Sequence, residues 1–131
     1  MKVLSLTEPC ATLIKEKKKL IETRSWKTNY RGELYIHASK TKIPKKWCEN
    51  LEFMDLVKNV PLNYGKIICK CKLVECIYMT EDYVNDIKKN HYEEYLCGDY
   101  KEGRFAWILE DIEAIKPIDA KGHLGVWNYE E

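Results

Sequence analysis

Three charged residues that could take part in catalysis or ligand binding lie close together in the sequence, at Lys19, Glu22 and Arg24. Residues 20–25 have a strand pattern, and residues two apart on a strand face the same side. Glu22 and Arg24 should therefore share a face, with Cα atoms about 6.5–7 Å apart. The trio could hydrogen-bond a base edge and a phosphate, or Lys19 and Glu22 could act as nucleophile or base on an activated carbonyl. The alternative is a surface ion pair of little energetic weight.

Aromatic and basic residues alternate directly after this strand. Trp26 and Tyr30 offer flat faces for stacking, and each is followed by a cation, Lys27 and Arg31. This composition is typical of a platform for single-stranded nucleic acid. Large aromatic side chains also commonly pack on a core or cover a loop, which is the structural alternative.

The next predicted strand, residues 33–38, carries a further polar group. His37 lies two positions after Tyr35, and a histidine in such a place is more commonly a hydrogen-bonded structural residue than a catalyst. Ser39 and Lys40 then open a polar, basic loop suited to phosphate. The predicted catalytic pair, if the protein is an enzyme, is Lys19 and Glu22. The predicted ligand-binding residues are Arg24, Trp26, Lys27, Tyr30, Arg31, His37, Ser39 and Lys40.

Charge is unevenly distributed along the chain, although the net charge is only +1. Residues 1–47 carry 12 Lys and Arg against 4 Asp and Glu, whereas residues 48–131 carry 10 against 17. Such asymmetry favours an anion-binding face. If the two halves mix in space, the surface is merely charged.

Composition also limits cofactors and location. Cys69 and Cys71, two of six cysteines, should face the same side of a strand, most simply the core. No second CxxC or HxxxH accompanies them, so we predict free structural thiols, no metal and no cofactor. No apolar run approaches the roughly 18–20 residues that span a bilayer, and no signal-peptide pattern begins the chain. We expect a cytoplasmic protein, monomeric and without membrane contact.

Short strands and helices follow one another without repeats or linkers. We expect strands over residues 2–6, 20–25, 33–38, 66–79, 104–115 and 122–127, with a bulge near residues 73–75. Helices are expected up to about Lys18 with Thr7 as N-cap, over residues 45–57, and after the N-cap Thr80. Residues 91–103 are expected to be irregular. The pattern predicts one α+β domain over residues 1–131, a small mixed β-barrel of five to six strands with two to three flanking helices.

Several of these motifs together resemble the ASCH domain, a family related to the PUA fold. Lys19, Glu22 and Arg24 match the family signature Gly-x-Lys-x-x-Glu-x-Arg, with Lys17 in place of the glycine. Residues 25–32 and 36–40 are similar to Ser-Trp-x-Thr-x-Tyr-Arg-Gly and Ile-His-Ala-Ser-Lys of bacterial members. Because the resemblance spans nearly the whole chain, the chain resembles a bacterial-type single-domain member with a PUA-like barrel.

The resemblance implies a cleft that binds RNA or nucleotides, lined by the Lys, Glu and Arg positions. One bacterial branch removes the acetyl group from acetylcytidine with a Lys and a Thr. Lys19 matches that lysine, and Glu22 stands where that branch has the threonine. Other members are described as nucleases.

Three functions therefore stay open. The first is an RNA- or nucleotide-binding domain. The second is a small hydrolase, an amidohydrolase on an acylated nucleoside or a ribonuclease, in which burial lowers the pKa of Lys19 and Glu22 shuttles the proton. The third is a protein-interaction adaptor that presents the acidic, tyrosine-rich residues 92–102.

Overall fold

Six strands form a single curved sheet in the computed structural model, which describes residues 1–130. They are β1 (Lys2–Leu6), β2 (Ile21–Arg24), β3 (Gly32–Ala38), β4 (Lys66–Tyr78), β5 (Phe105–Asp119) and β6 (Val126–Asn128). Their order across the sheet is β2-β5-β4-β3-β1-β6. β1 and β3 are parallel, and the other neighbouring strands are antiparallel. The sheet curls into a half-barrel, which confirms the predicted α+β fold.

Within residues 1–130, five short helices flank the sheet, where two to three were predicted. They are α1 (Cys10–Lys15), α2 (Lys45–Cys48), α3 (Leu51–Asp55), α4 (Glu81–Asn90) and α5 (Tyr92–Leu96). The α4 helix is capped as predicted, because the Thr80 side chain accepts from the Tyr83 amide. The α5 helix falls in the stretch expected to be irregular.

Two helix predictions are corrected at the residues that start each helix. Thr7 does not cap α1. Instead the buried Glu8 carboxylate accepts from the Thr12 amide at 2.9 Å. The helix expected over residues 45–57 is split at Asn50, whose side chain accepts from the Phe53 amide and so starts α3. The polar N-cap residue Asn50 interrupts the helix, although the apolar residues on both sides of it keep helical spacing.

The β5 strand continues through Pro117, although Lys116 and Pro117 were expected to end it. Its register against β4 shifts between Ile67 and Cys69, so Pro117 lies in an irregular part of the ladder. A proline is tolerated there because no ladder hydrogen bond is required of its nitrogen. The bulge predicted near residues 73–75 is present, as the third of three register shifts in the same pair of strands.

The main core lies between the inner face of the sheet and α1. Cys69 and Cys71 are buried in it, as the alternation of β4 predicted, and Trp107 is fully buried beside them. All six cysteines are free. A smaller apolar cluster on the other face contains Val3, Ile67 and Trp127. No helix within residues 1–130 is long and apolar enough to cross a membrane.

Candidate nucleic-acid interface

Lys19 lies just before β2 and is fully buried. Its Nζ donates to the carbonyl oxygens of Ile21 at 2.7 Å and Cys97 at 2.6 Å, and lies 3.4 Å from Glu22 Oε1. Burial works to lower the pKa of Lys19, but the Glu22 carboxylate raises it, and the net direction is upward. The lowered pKa expected for a lysine nucleophile is therefore not found, and Lys19 is a buried cation.

Glu22 and Arg24 share one face of β2, as predicted, and continue the contacts of Lys19 outward. Glu22 Oε2 accepts from Arg24 Nε at 3.0 Å, and Arg24 Nη2 donates to the Ser5 carbonyl at 3.0 Å. The Glu22 side chain is 9% exposed and that of Arg24 is 23% exposed. A chain of paired charges thus leads from a buried ammonium to the surface.

A cleft of about 390 Å³ opens over this pair. We call it the tryptophan cleft, because Trp26 and Trp47 both line it together with Glu22 and Arg24. Trp26 stands edge-on to the buried Trp107, with ring centroids 4.8 Å apart. Trp47 packs on Phe53 at 4.8 Å. Both indoles are therefore held by neighbours while they face the cleft.

A larger groove of about 1220 Å³ adjoins the tryptophan cleft. We call it the basic groove, because its charged lining includes Arg24, Lys40, Lys66 and Lys121. Lys66 is paired with Asp119 at 2.5 Å, whereas Lys40 and Lys121 are exposed. Its other lining residues include His37, Ser39, Thr41, Tyr64 and His123.

The two cavities meet at three residues, Ser5, Thr7 and Arg24, which line both of them. Arg24 therefore presents its guanidinium at the junction. A ligand with a flat ring and an attached anionic chain would fit this arrangement, with the ring in the tryptophan cleft and the anions along the basic groove.

His37 is 1% exposed and is held on both ring nitrogens. Nδ1 lies 2.9 Å from Ser5 Oγ, and Nε2 lies 2.7 Å from the Ala120 carbonyl. Burial lowers the pKa of His37, against a raising contribution from the Ala120 hydrogen bond. His37, one of the predicted ligand-binding residues, is thus a neutral imidazole near pH 7 and lies in the wall of the basic groove.

The cysteines near the site are protonated thiols. Burial raises the pKa of Cys10 to about 11 and that of Cys97 to about 12. Both line the tryptophan cleft. Across residues 1–130, no group of three or more His, Cys, Asp and Glu side chains is arranged to hold a metal ion.

Comparison with known proteins now adds to this geometry. The ASCH domain model matches residues 4–119. The chain belongs to the ASCH domain family. Crystal structures of the ASCH protein from Zymomonas mobilis have the same fold, at 21% identity over 90% of this chain. The wild type gives a TM-score of 0.55 over 72% of its own length, and a Tyr→Phe variant gives 0.56 over 74%. A comparison with curated proteins finds no match.

Not all predicted site residues of this ASCH domain are brought together. Glu22, Arg24 and Trp26 line the tryptophan cleft, and Arg24, His37, Ser39 and Lys40 line the basic groove. Lys27, Tyr30 and Arg31 line neither cavity. The Tyr30 hydroxyl donates to the Glu33 carbonyl, and Arg31 donates to the Thr28 and Tyr30 carbonyls.

Several lining residues of the ASCH domain were missed by the sequence analysis, among them Trp47, Lys121 and Ser5. Trp47 falls in the helix expected over residues 45–57, and in the structure it is half-buried at the cleft, in the short helix before the break at Asn50. Lys121 and Ser5 are far apart in the sequence, and their segments are brought together by the β6–β1 pairing and by the close approach of Gly122 to Ser5. The serine gave no sequence signal, because its partner His37 is 32 residues away.

Proposed function

We propose that this ASCH domain binds single-stranded RNA, with one unpaired base in the tryptophan cleft and the adjoining phosphates along the basic groove. The observation that carries the proposal is the junction at Arg24, where an aromatic cleft opens directly into a basic groove. Single-stranded nucleic acids are held by this combination of stacking surfaces and cations.

The tryptophan cleft is suited to a base because it offers stacking surfaces and polar groups together. Trp26 and Trp47 are fixed by Trp107 and Phe53, so little side-chain entropy is lost when a base stacks on them. At the same cleft, Glu22 supplies acceptor oxygens and Arg24 supplies N–H donors beside them. Base edges present donors next to acceptors, so this pair can hydrogen-bond one.

Lys19 acts in this proposal as a positioning residue below the cleft. Its ammonium holds Glu22 Oε1 from the inside, which leaves Glu22 Oε2 to orient Arg24. The hydrolase alternative with Lys19 as nucleophile or base has less support, because its Nζ is already bonded to two carbonyl oxygens and its pKa is raised.

The adaptor alternative rests on residues 92–102, part of which serves the fold itself. The Glu94 carboxylate accepts from the Leu20 amide at 2.8 Å and the Ile21 amide at 3.3 Å. Tyr95 stacks between Tyr92 and Tyr100. Through these contacts the acidic segment binds the backbone at the start of β2 and so stabilises the fold.

The test is the fluorescence anisotropy of a labelled single-stranded RNA at several salt concentrations. Arg24→Gln should weaken binding at low salt and reduce the slope of log K against log salt by about 0.7, the value for one lost phosphate contact. Trp47→Ala should weaken binding while leaving that slope unchanged, because stacking releases no counterions. The matched control is Lys89→Gln, which removes an exposed cation that lines neither cavity. Absence of binding by the wild type at low salt would refute the proposal.

A further inference from the structure

A serine and a histidine form a hydrogen-bonded pair where the two cavities meet. Ser5 and His37 are register partners on the parallel strands β1 and β3, and Ser5 Oγ lies 2.9 Å from His37 Nδ1. His37 Nε2 lies 2.7 Å from the carbonyl oxygen of Ala120. A carbonyl only accepts, so in the neutral ring Nε2 carries the hydrogen and Nδ1 is free to accept from the Ser5 hydroxyl.

In this arrangement His37 is placed to activate the Ser5 hydroxyl as a nucleophile. The serine hydroxyl donates to a neutral imidazole, and a third group, the Ala120 carbonyl, fixes the tautomer and orientation of that imidazole. Trp127 Nε1 donates to Ser5 Oγ at 3.0 Å and would remain as a donor to the oxygen as its proton leaves. Burial keeps His37 uncharged at neutral pH, which is the form that accepts a proton.

The surroundings screen the imidazole more completely than they screen Ser5. A Cβ on Gly122 would lie 2.9 Å from both Ser5 Oγ and His37 Cε1, so the glycine backbone lies close against the pair. His37 is 1% exposed, whereas Ser5 is half-buried and lines both cavities. The Arg24 guanidinium is adjacent, since Nη2 bonds the Ser5 carbonyl at 3.0 Å.

We propose that Ser5 and His37 are the nucleophile and base of an acyl-ester hydrolase site, whose substrate carries the acyl group on a ribose hydroxyl. The nucleotide part of the substrate rests on the proposed function, because the base would occupy the tryptophan cleft. The acyl-transfer chemistry rests on the Ser5–His37 pair alone. An acyl carbon is the electrophile that a serine hydroxyl activated by a neutral imidazole attacks.

The reaction needs only the ester and water. Ser5 Oγ bonds to the acyl carbon, its proton moves to His37 Nδ1, and the carbonyl becomes an oxyanion beside the Arg24 guanidinium. The bond between the acyl carbon and the ribose oxygen then breaks, and that oxygen takes the proton from His37. Water attacks the acyl-serine, His37 accepts its proton and returns it to Ser5 Oγ, and the carboxylic acid leaves.

The first experiment is covalent labelling of the full chain with a fluorophosphonate, located by mass spectrometry. Wild type should be labelled at Ser5, and Ser5→Ala should not be labelled. His37→Gln should react at least about 100-fold more slowly than wild type, because 100-fold is the lower end of what a general base contributes. Circular dichroism establishes that each variant is folded. Folded wild type that is not labelled, or labelling that is unchanged in His37→Gln, would overturn the proposal and leave a structural cross-strand pair.

The second experiment is turnover of 4-nitrophenyl acetate and of adenosine acetylated on its ribose. Wild-type kcat/KM should rise with pH through a pKa below the ordinary histidine value of about 6.5, and His37→Gln should lose this profile. His123 is the nearby titratable group that acts on His37, so His123→Gln should keep a rising profile. A profile lost in His123→Gln but kept in His37→Gln would contradict the assignment of the base.

RNA anisotropy of the wild type, set beside its Ser5 labelling, separates this inference from the proposed function. The two measurements are independent, because labelling by the fluorophosphonate requires no RNA. RNA binding without Ser5 labelling would overturn the hydrolase site and keep the RNA-binding function. Labelling and ester turnover without RNA binding would support the hydrolase site and overturn the RNA-binding function.

Discussion

At the scale of single residues, the ion pairs inside the protein differ from those at its surface. Lys19 Nζ has two carbonyl acceptors and a carboxylate, which compensate for the loss of water around a fully buried charge. Exposed pairs such as Lys45 with Glu49 contribute little by comparison. The sequence pattern identified the Lys19–Glu22–Arg24 trio, but it could not show that one member is buried.

Replacing Lys19 with methionine should lower the free energy of unfolding by about 3–5 kcal/mol. The change leaves two buried carbonyls without a donor and Glu22 without its inner partner. Urea denaturation of the folded variant measures the loss. Lys18→Met is the matched control, since Lys18 Nζ makes one exposed hydrogen bond to the Leu56 carbonyl. Equal stability of wild type and Lys19→Met would contradict the buried ion-pair network.

His37 should make stability depend on pH in the acid range. Burial lowers its pKa in the folded protein, so below about pH 6.5 the unfolded chain binds more protons than the folded one. The free energy of unfolding should therefore fall as the pH falls from about 6.5 through the folded pKa, by about 1.4 kcal/mol for each unit of lowering. Urea denaturation of wild type and His37→Gln, compared at each pH, isolates this contribution. If the difference in the free energy of unfolding between wild type and His37→Gln does not change with pH, His37 does not cause the pH dependence.

At the scale of elements, the break between α2 and α3 determines what the site contains. The α2 helix carries Lys46 and Trp47 to the tryptophan cleft, and the Asn50 cap starts α3 as a separate helix. Trp47 then packs on Phe53, so α3 supports the indole that α2 presents to the cleft.

Asn50→Ala should lower the free energy of unfolding by about 1 kcal/mol, as the loss of an N-cap does. It should also weaken RNA binding, because Trp47 loses part of its support. Thr80→Ala is the matched control. It removes an equivalent cap from α4, which lines neither cavity, and should cost similar stability without affecting binding. Anisotropy and urea denaturation of both variants give the comparison, and equal binding losses would point to general destabilisation.

The strands were predictable because alternation is a strong local signal. The β4 strand shows Cys69 and Cys71 on the buried face and Lys70 and Lys72 toward solvent, and its bulge followed from the point where alternation stops. Helix boundaries were less predictable, since apolar spacing continued past Asn50. The site was predicted in part. Residues close in sequence, such as Glu22 and Arg24, were found together, whereas pairs made by strand register, such as Ser5 with His37, have no local pattern.

At the scale of the whole molecule, the two halves of the chain mix in space around the site. The basic groove takes Arg24 and Lys40 from the basic half, and Lys66, Lys121 and Asp119 from the acidic half. The charge asymmetry of the sequence therefore does not map directly onto one face. Among residues 1–130, Lys40 and Lys121 form no ion pair, Arg24 is paired with Glu22 of the tryptophan cleft, and Lys66 is paired with Asp119. For single-stranded RNA, about three phosphate contacts correspond to a salt slope of about −2.

Asp119→Asn should strengthen RNA binding and steepen its salt dependence. The change removes a negative charge from the basic groove and frees Lys66, which lies 2.5 Å from that carboxylate, to contact a phosphate. One further contact should make the slope more negative by about 0.7. The matched control is Asp111→Asn, which breaks the pair with Lys72 at 3.6 Å outside both cavities, at a positive φ that asparagine tolerates. If both variants gain the same affinity, net charge rather than the groove governs binding. A gain confined to Asp119→Asn places the RNA backbone in the basic groove.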